Sequence, residues 1–279
     1  MRPTELSPTR GWVFRQRQST RAWIGVARRN WAAVRTRLAE VMVTLIVEPM
    51  IYFVILGYGL GHWIKLEQNQ SYYDFLFPSV FTLAAALASF NEAGLMSWHR
   101  LHTHHAFQVM KLTSLREEDI ALGEWIWATL KGSAVGLILI LTGTVFGLLH
   151  SWTALFAIPL VLVGAALSSG AGLWVASVTE SPSRFSWIYS VFVIPMLLVS
   201  ETIVPVSLSW VPYQYGLWLS PVYHLIKSVR AFWEARLDWN VLGHLAIVSG
   251  VTTIVVFFSI RKFADSLRKN LRKTAQENQ

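Results

Sequence analysis

The sequence predicts an all-α membrane protein with six transmembrane helices, an N-terminal amphipathic interface helix, a short cytoplasmic helix, and re-entrant helices before the last span. Three observations lead to this prediction. The 279 residues are 53% hydrophobic and only 14% charged, whereas about a quarter of the residues in a soluble domain are charged. The apolar residues form long blocks, and most basic residues lie outside those blocks.

Six apolar blocks are each about long enough to cross a hydrocarbon layer of roughly 30 Å at 1.5 Å per residue. They are too long and too continuously apolar for barrel strands, so helices are expected. The blocks are Val41–Leu60, Tyr72–Met96, Trp125–Leu149, Trp152–Val178, Trp187–Ile203 and Val241–Ile260.

The basic residues predict the orientation and the division of the chain. Nearly all short-loop Arg and Lys lie in the N-terminus, in 98–119, in 180–184 and in the C-terminus, so both termini are expected to be cytoplasmic. A net charge of +8 that flanks an apolar body indicates a membrane surface, not nucleic acid. Three regions are predicted: a basic N-terminus (1–40), a membrane domain (41–260) and a basic cytoplasmic tail (261–279).

An amphipathic pattern precedes the first span. Its apolar stripe is Trp23, Ala27, Trp31, Val34 and Leu38, and its opposite face carries Arg21, Arg28, Arg29 and Arg35. The pattern predicts a helix at the membrane surface, with its apolar side in the lipid boundary and its arginines on anionic headgroups or a protein partner. The alternative is a basic cytosolic tail.

The stretch 203–240 differs from the spans because it is aromatic and rich in proline. Pro205, Pro212 and Pro221 forbid one continuous helix. Two short helices that enter the outer leaflet and return are predicted, packed against protein or a cavity.

The candidate functional residues among the ionisable groups of the apolar blocks are Glu48, Glu92, Lys131 and Glu201. Such groups are unfavourable in lipid and are usually functional or paired. Pairing within the structure is favoured over contact with a transported molecule or a proton relay. Glu48 is the deepest of the four, and Pro49 frees backbone groups beside it.

Four histidines, His99, His102, His104 and His105, lie within seven residues. A zinc site is disfavoured because no carboxylate or thiolate lies among them. Ser114 and Glu117 have the spacing of a capping box, which predicts a new helix from near Leu115. Residues 98–112, hereafter the coupling segment, therefore form a separate cytoplasmic helix of the kind that docks into another protein's groove.

The small residues of Gly164–Trp174 permit close approach between helices. Packing within one chain is favoured slightly over packing between chains.

Taken together, the order and spacing of several segments resemble the membrane subunits of type-2 ABC exporters. The segments are EPMIYFVILGYGLG (48–61), YYDFLFPSVFTLAAALASFNEAG (72–94), MKLTSLREEDIALGEWIWATLKG (110–132) and SPVYHLIKSVRAF (220–232). The resemblance is greatest to the nodulation-factor lipo-oligosaccharide exporters, and capsule and O-antigen polysaccharide permeases are more distant relatives.

This resemblance implies a dimer, expected to be a homodimer, in the bacterial inner membrane with two ATP-binding cassette subunits. The chain has no P-loop, so ATP and Mg²⁺ would bind on those partners; no cofactor and no catalytic activity are expected of this chain alone. The coupling segment matches the family's coupling helix. Its expected ATPase-coupling residues are Trp98, His99, Arg100, His102, His104, His105, Phe107 and Gln108.

The expected cargo is a lipid-linked oligosaccharide or polysaccharide, because of the family branch that the chain resembles. Sugar rings stack on aromatic faces, so a transport path and exit rim are expected at Glu48, Trp210, Tyr213, Tyr215, Trp218 and Tyr223. An ordinary aromatic belt is the alternative for the rim. A drug exporter, an ATP-independent transporter and an intramembrane enzyme remain open as alternative functions.

Overall fold

The computed structural model describes residues 22–64, 66, 71–102, 107, 110, 115–149, 151–205 and 211–277, and all regular secondary structure in these ranges is helical. The α-helices are α1 Ala22–Arg35, α2 Leu38–Gly61, α3 Tyr72–Asn91, α4 Ser97–His102, α5 Glu117–Val145, α6 Ala157–Val178, α7 Pro182–Ile188, α8 Ile194–Val199, α9 Val211–Leu217, α10 Pro221–Trp233 and α11 Trp239–Glu277. π-helical turns join α3 to α4 and α7 to α8, and a 3₁₀ turn precedes α6.

Five helices of the described ranges are long and apolar enough to cross a membrane. They are Leu38–Gly61, Tyr72–His102, Glu117–Val145, Trp152–Val178 and Trp239–Arg272. The predicted fifth block instead consists of α7, the π turn Tyr189–Val193 and α8. That segment ends at Val199, and Glu201 follows with a left-handed φ of 59°. A sixth crossing therefore stays a prediction.

The core is centred on α3 and α6. Helix α3 packs on α5 and α6, and α6 also packs along α11. At Gly172 the backbones of α6 and α3 come so close that an added Cβ would lie 2.4 Å from the Phe90 carbonyl oxygen. The small residues of the fourth predicted span thus serve packing within the chain.

Helix α1 packs on α5 through a face other than the apolar stripe, whose placement in the lipid boundary stays a prediction. Val26 and Asn30, one turn apart, are its buried residues. Trp31 of the predicted stripe is exposed. Arg29, expected on headgroups or a partner, contacts Glu124 of α5 in the protein interior. The prediction was wrong for Arg29 because a buried carboxylate binds a guanidinium more strongly than a hydrated surface does.

The last helix, α11, continues to Glu277, well past the predicted end of the span at Ile260. Phe263, Ala264 and Leu267 of this extension are buried and pack with Phe107 of the coupling segment. The segment predicted as a basic tail is thus a helix that supports the coupling segment.

Two short helices, α9 and α10, lie where re-entrant helices were predicted. Pro221 occupies the first turn of α10, where its missing N–H leaves no donor unsatisfied. Their depth in the membrane and the cytoplasmic placement of both termini stay predictions.

Helix α5 begins at Glu117, two residues later than expected, and the Asp119 carboxylate accepts a hydrogen bond from the Arg116 backbone N–H at 3.3 Å. Ser114 lies outside the described residues.

Candidate functional site: a buried ion-pair network beside the coupling segment

The coupling segment begins where α3 passes through a π-helical turn, Glu92–Met96, into α4. A π turn inserts an extra residue and so rotates the side chains that follow it. Here it places Glu92, Ser97 and Arg100 on one side, facing α5. Glu92 and Ser97 are buried.

Glu92 binds three donors from two helices. Its Oε1 accepts hydrogen bonds from Arg100 Nη1 at 3.0 Å and from the Trp127 indole N–H at 2.9 Å. Its Oε2 accepts one from Lys131 Nζ at 2.7 Å. The pairing predicted for Glu92 and Lys131 is confirmed, and Arg100 joins it from the coupling segment.

Glu124, on α5, is fully buried and binds groups from α1 and α4. Its Oε1 lies 2.9 Å from Arg29 Nη2 and 3.1 Å from Asn30 Nδ2. Its Oε2 lies 2.9 Å from Ser97 Oγ and 2.5 Å from Arg100 Nη2. Arg100 therefore bridges the two buried carboxylates, and the network joins α1, the start of the coupling segment and α5.

Burial lowers the pKa of Arg29 from its ordinary value, while the Glu124 carboxylate opposes that shift. A guanidinium nevertheless stays protonated in proteins. The network accordingly holds three partly exposed cations, Arg29, Arg100 and Lys131, against two buried carboxylates. Removing either carboxylate would leave cations without their anionic partner, so the arrangement holds its helices in one register.

Several residues of the coupling segment make contacts within this chain that the sequence did not predict. The Trp98 indole N–H donates to the Thr179 carbonyl oxygen at 2.9 Å, and the His102 ring stacks on Trp98 with centroids 4.6 Å apart. Phe107 is only 1% exposed and packs edge-on against Phe263 at 6.0 Å.

The direct ATPase contact expected of Trp98, Arg100 and Phe107 stays a prediction. Trp98 and Phe107 are buried, whereas Arg100 is partly exposed. His99 and His102 are partly exposed. His104, His105 and Gln108 lie outside the described residues. Within the ranges that the structure covers, no group of three or more His, Cys, Asp or Glu is arranged to hold a metal ion.

A second buried cluster lies at the opposite end of the molecule. Glu201 pairs with Lys227 at 2.9 Å and with Arg230 at 3.5 Å. Arg230 also donates from Nη2 to Ser79 Oγ at 2.6 Å and from Nε to the Phe75 carbonyl oxygen at 3.1 Å. The pairing predicted for Glu201 is confirmed. Sequence reasoning did not identify Lys227 and Arg230 as partners of Glu201. Their spacing of three residues places them on one face of a helix, which could have indicated a shared partner.

The predicted exit-rim residues occupy different environments. Tyr215 and Trp218 are exposed, and the Tyr213 hydroxyl donates to the Val199 carbonyl oxygen. Tyr223 is buried, with the Lys227 ammonium 5.8 Å from its ring centroid, so it offers no free face. Trp210 lies outside the described residues. Three further exposed tryptophans, Trp63, Trp152 and Trp239, suit an aromatic belt equally well.

Glu48 stands apart from the other ionisable residues. It is exposed on the outside of α2 and lines a shallow groove of about 350 Å³ with Val43, Thr44, Val47, Ile51 and Tyr52. No hydrogen bond or ion pair joins it to another residue of the described ranges. The structural pairing favoured for Glu48 is therefore not present within them.

Comparison with known proteins places these features in a family. Residues 21–232 match the ABC-2 type transporter family, which covers α1 to α10. The chain is 26% identical to Nodulation protein J of Rhizobium leguminosarum bv. viciae over 81% of its own length and 87% of the relative's. It is 25% identical to that of Azorhizobium caulinodans over 89% and 97%, and 29% identical to that of Rhizobium meliloti over 75% and 79%. The chain belongs to the ABC-2 type transporter family and is a multi-pass membrane permease of an ABC transporter.

Proposed function

We propose that this chain is the permease of an ATP-driven exporter for a lipid-linked oligosaccharide, working in the bacterial inner membrane as a homodimer with two ATP-binding cassette subunits. Family membership implies the ATP-binding partner. The observation that carries the mechanism is the Glu92–Arg100–Glu124 network, because it links the coupling segment rigidly to two other helices.

In the proposed mechanism, ATP closes the two partner subunits and displaces the coupling segments with them. Arg100 binds both buried carboxylates, so α1, α4 and α5 move as one body. Rigid-body motion of this kind opens and closes interfaces between subunits. Its driving force is the difference in stability of the two arrangements with and without nucleotide.

The proposed transport path runs along the outer face of α2. This helix packs mainly on α3, and Val43, Val47 and Ile51 remain exposed beside Glu48. A carboxylate exposed at this depth is unfavourable against lipid. A second copy of the chain across this face would enclose Glu48 in a polar path.

Two lines of support favour the oligosaccharide cargo. The relatives carry names that refer to nodulation, and the matching segments resemble lipo-oligosaccharide exporters. Tyr215 and Trp218 are exposed, as a sugar-stacking rim requires.

The alternatives of a proton relay and an intramembrane enzyme lose support because Glu92, Lys131 and Glu201 are held in ion pairs.

The test is co-purification followed by transport. The tagged chain would be purified with its ATP-binding subunit, the subunit identified, and the complex reconstituted in vesicles. We expect ATP-dependent uptake of a fluorescent lipo-oligosaccharide, and none with an ATPase subunit whose P-loop lysine is replaced. Uptake of ethidium alone would favour a drug exporter. Transport by the chain without any ATPase subunit would overturn the proposal.

A further inference from the structure

Two histidines that the proposed function leaves unused meet beneath the exit rim. His224 lies on α10, and His244 lies on the first turns of α11. Both are buried, and their Nδ1 atoms are 2.6 Å apart. The exposed Trp218 ring covers the pair, with its centroid 5.5 Å from each imidazole. The two side chains thus join α10 to the last span.

The hydrogen-bond partners determine where the protons lie. The His224 Nε2 atom is 2.9 Å from the Trp218 carbonyl oxygen. A carbonyl oxygen only accepts, so His224 Nε2 carries the hydrogen and its Nδ1 is bare in the neutral ring. The short Nδ1–Nδ1 contact then requires His244 Nδ1–H to donate to His224 Nδ1. The neutral pair is one hydrogen bond with a defined direction.

Protonation changes this contact in two steps. A first added proton is accommodated, because His224 then donates from Nδ1 and His244 accepts as its other tautomer. A second added proton leaves an N–H on both Nδ1 atoms, so that two donors and two positive charges face each other at hydrogen-bond distance. The rings must then separate.

The charged groups around the pair do not remove this conflict. Lys227, one turn after His224 on α10, is a cation held by Glu201. Asp238, just before α11, lies close enough to His244 to interact with it electrostatically. The hydrogen bond from the Asn240 amide lowers the pKa of Asp238, which keeps it anionic and favours the first proton. No anion reaches the Nδ1–Nδ1 contact itself among the described residues.

We propose that His224 and His244 form a proton-binding site that holds α10 against α11 near neutral pH and releases the Trp218 rim when both imidazoles are protonated. Imidazoles ordinarily titrate near pH 6.5, and each charged ring disfavours charging the other. The contact is therefore present at neutral pH and is lost only when the second proton binds, which requires a pH below the ordinary imidazole pKa of about 6.5. The rim's role as the cargo exit rests on the proposed function, but the proton site does not.

The experiment uses the absence of cysteine from this sequence. Spin labels would be attached to cysteines introduced as Leu219→Cys and Trp239→Cys, both at exposed positions beside the pair. The distance between the labels would be measured in lipid nanodiscs near pH 7.5 and near pH 5, on either side of the ordinary imidazole pKa. We expect a shift to longer distances at acid pH.

His244→Asn is the informative variant, because its amide N–H can donate to His224 Nδ1 but does not titrate. We expect it to keep the short distance at both pH values. His62→Asn, which removes an exposed imidazole elsewhere, should keep the acid response of the parent. The proposal is overturned if the parent shows no shift, or if His244→Asn still responds to acid.

Histidine-selective ¹⁵N spectra supply a second measurement without any substitution. A scalar coupling between the two Nδ1 atoms is expected at neutral pH and should disappear on acidification. A neutral-pH spectrum without that coupling would contradict the shared hydrogen bond. Neither measurement needs cargo or an ATPase subunit, so its failure is distinguishable from failure of the exporter assignment.

Discussion

Glu92 shows at the scale of one residue how this membrane protein tolerates buried charge. Both of its oxygens are used, by Arg100, Lys131 and the Trp127 indole. Charge-assisted hydrogen bonds of this length are among the strongest that side chains make. They also leave each partner dependent on the others, because the hydrogen bonds share the same carboxylate.

Replacing Glu92 with Gln should be strongly destabilising. The neutral amide leaves Lys131 without its carboxylate and Arg100 with Glu124 alone, and losing one partner of a buried pair costs about 3–5 kcal/mol. Thermal unfolding of the purified chain in detergent measures the effect.

Glu180→Gln is the matched control for this measurement. Glu180 pairs with Arg184 on the exposed surface at 2.6 Å, where a pair contributes about 0–1 kcal/mol. Equal losses of stability in the two variants would contradict the importance of burial for the Glu92 pair.

At the scale of one element, the C-terminal extension of α11 packs against the coupling segment. Phe263 and Leu267 are fully buried in the cluster that contains Phe107. Arg268 lies 3.2 Å from Glu118 and 4.0 Å from Glu117, at the start of α5. The last span is therefore packed directly against the segment proposed to receive the ATPase movement.

Phe263→Ala should uncouple ATP hydrolysis from transport. The substitution removes the ring that packs on Phe107, and truncation of a buried Phe costs about 3–5 kcal/mol of packing. The reconstituted complex should hydrolyse ATP with less transport per ATP, and that ratio is the measurement.

Phe258→Ala on the same helix is the control, because Phe258 is exposed and its loss leaves the coupling segment in place. If both variants keep the parent's ratio of transport to hydrolysis, the extension has no part in coupling.

At the scale of the whole molecule, two of the exposed apolar faces can be compared as surfaces for a partner copy. One is α2, of which only Phe53 and Gly57 are buried, and the other is the outer side of α11, with Ile254, Phe257 and Phe258. Either face suits lipid, but only α2 presents an exposed carboxylate among these apolar side chains. A partner copy is therefore expected at α2 and lipid at α11.

Cysteine cross-linking separates the two faces. Ile51→Cys on α2 and Ile254→Cys on α11 replace side chains of similar exposure, 51% and 59%. We expect copper-phenanthroline to produce covalent dimers of Ile51→Cys in membranes, because that position would face its symmetry copy. Dimers of Ile254→Cys in equal yield, or none of either, would contradict an interface at α2.

Hydropathy and charge alone determined the helical membrane class, the approximate bounds of five spans, and the breaks at Pro205, Pro212 and Pro221. These features follow from neighbours along the chain, because a span must satisfy its own backbone and exclude charge over about 20 consecutive residues. That Glu92, Lys131 and Glu201 would be paired within the structure was also expected, with no partner named, since unpaired charge is unfavourable in an apolar block.

Only the tertiary structure decided which partners these residues meet. Arg29 binds Glu124, which lies 95 positions away in the sequence. Phe107 packs against the last helix. His224 contacts His244 on the next helix. Periodicity records which face of a helix is apolar, but it carries no information on which helix covers that face. Those contacts depend on how the helices pack, and they determine where this protein keeps its buried charges and its paired imidazoles.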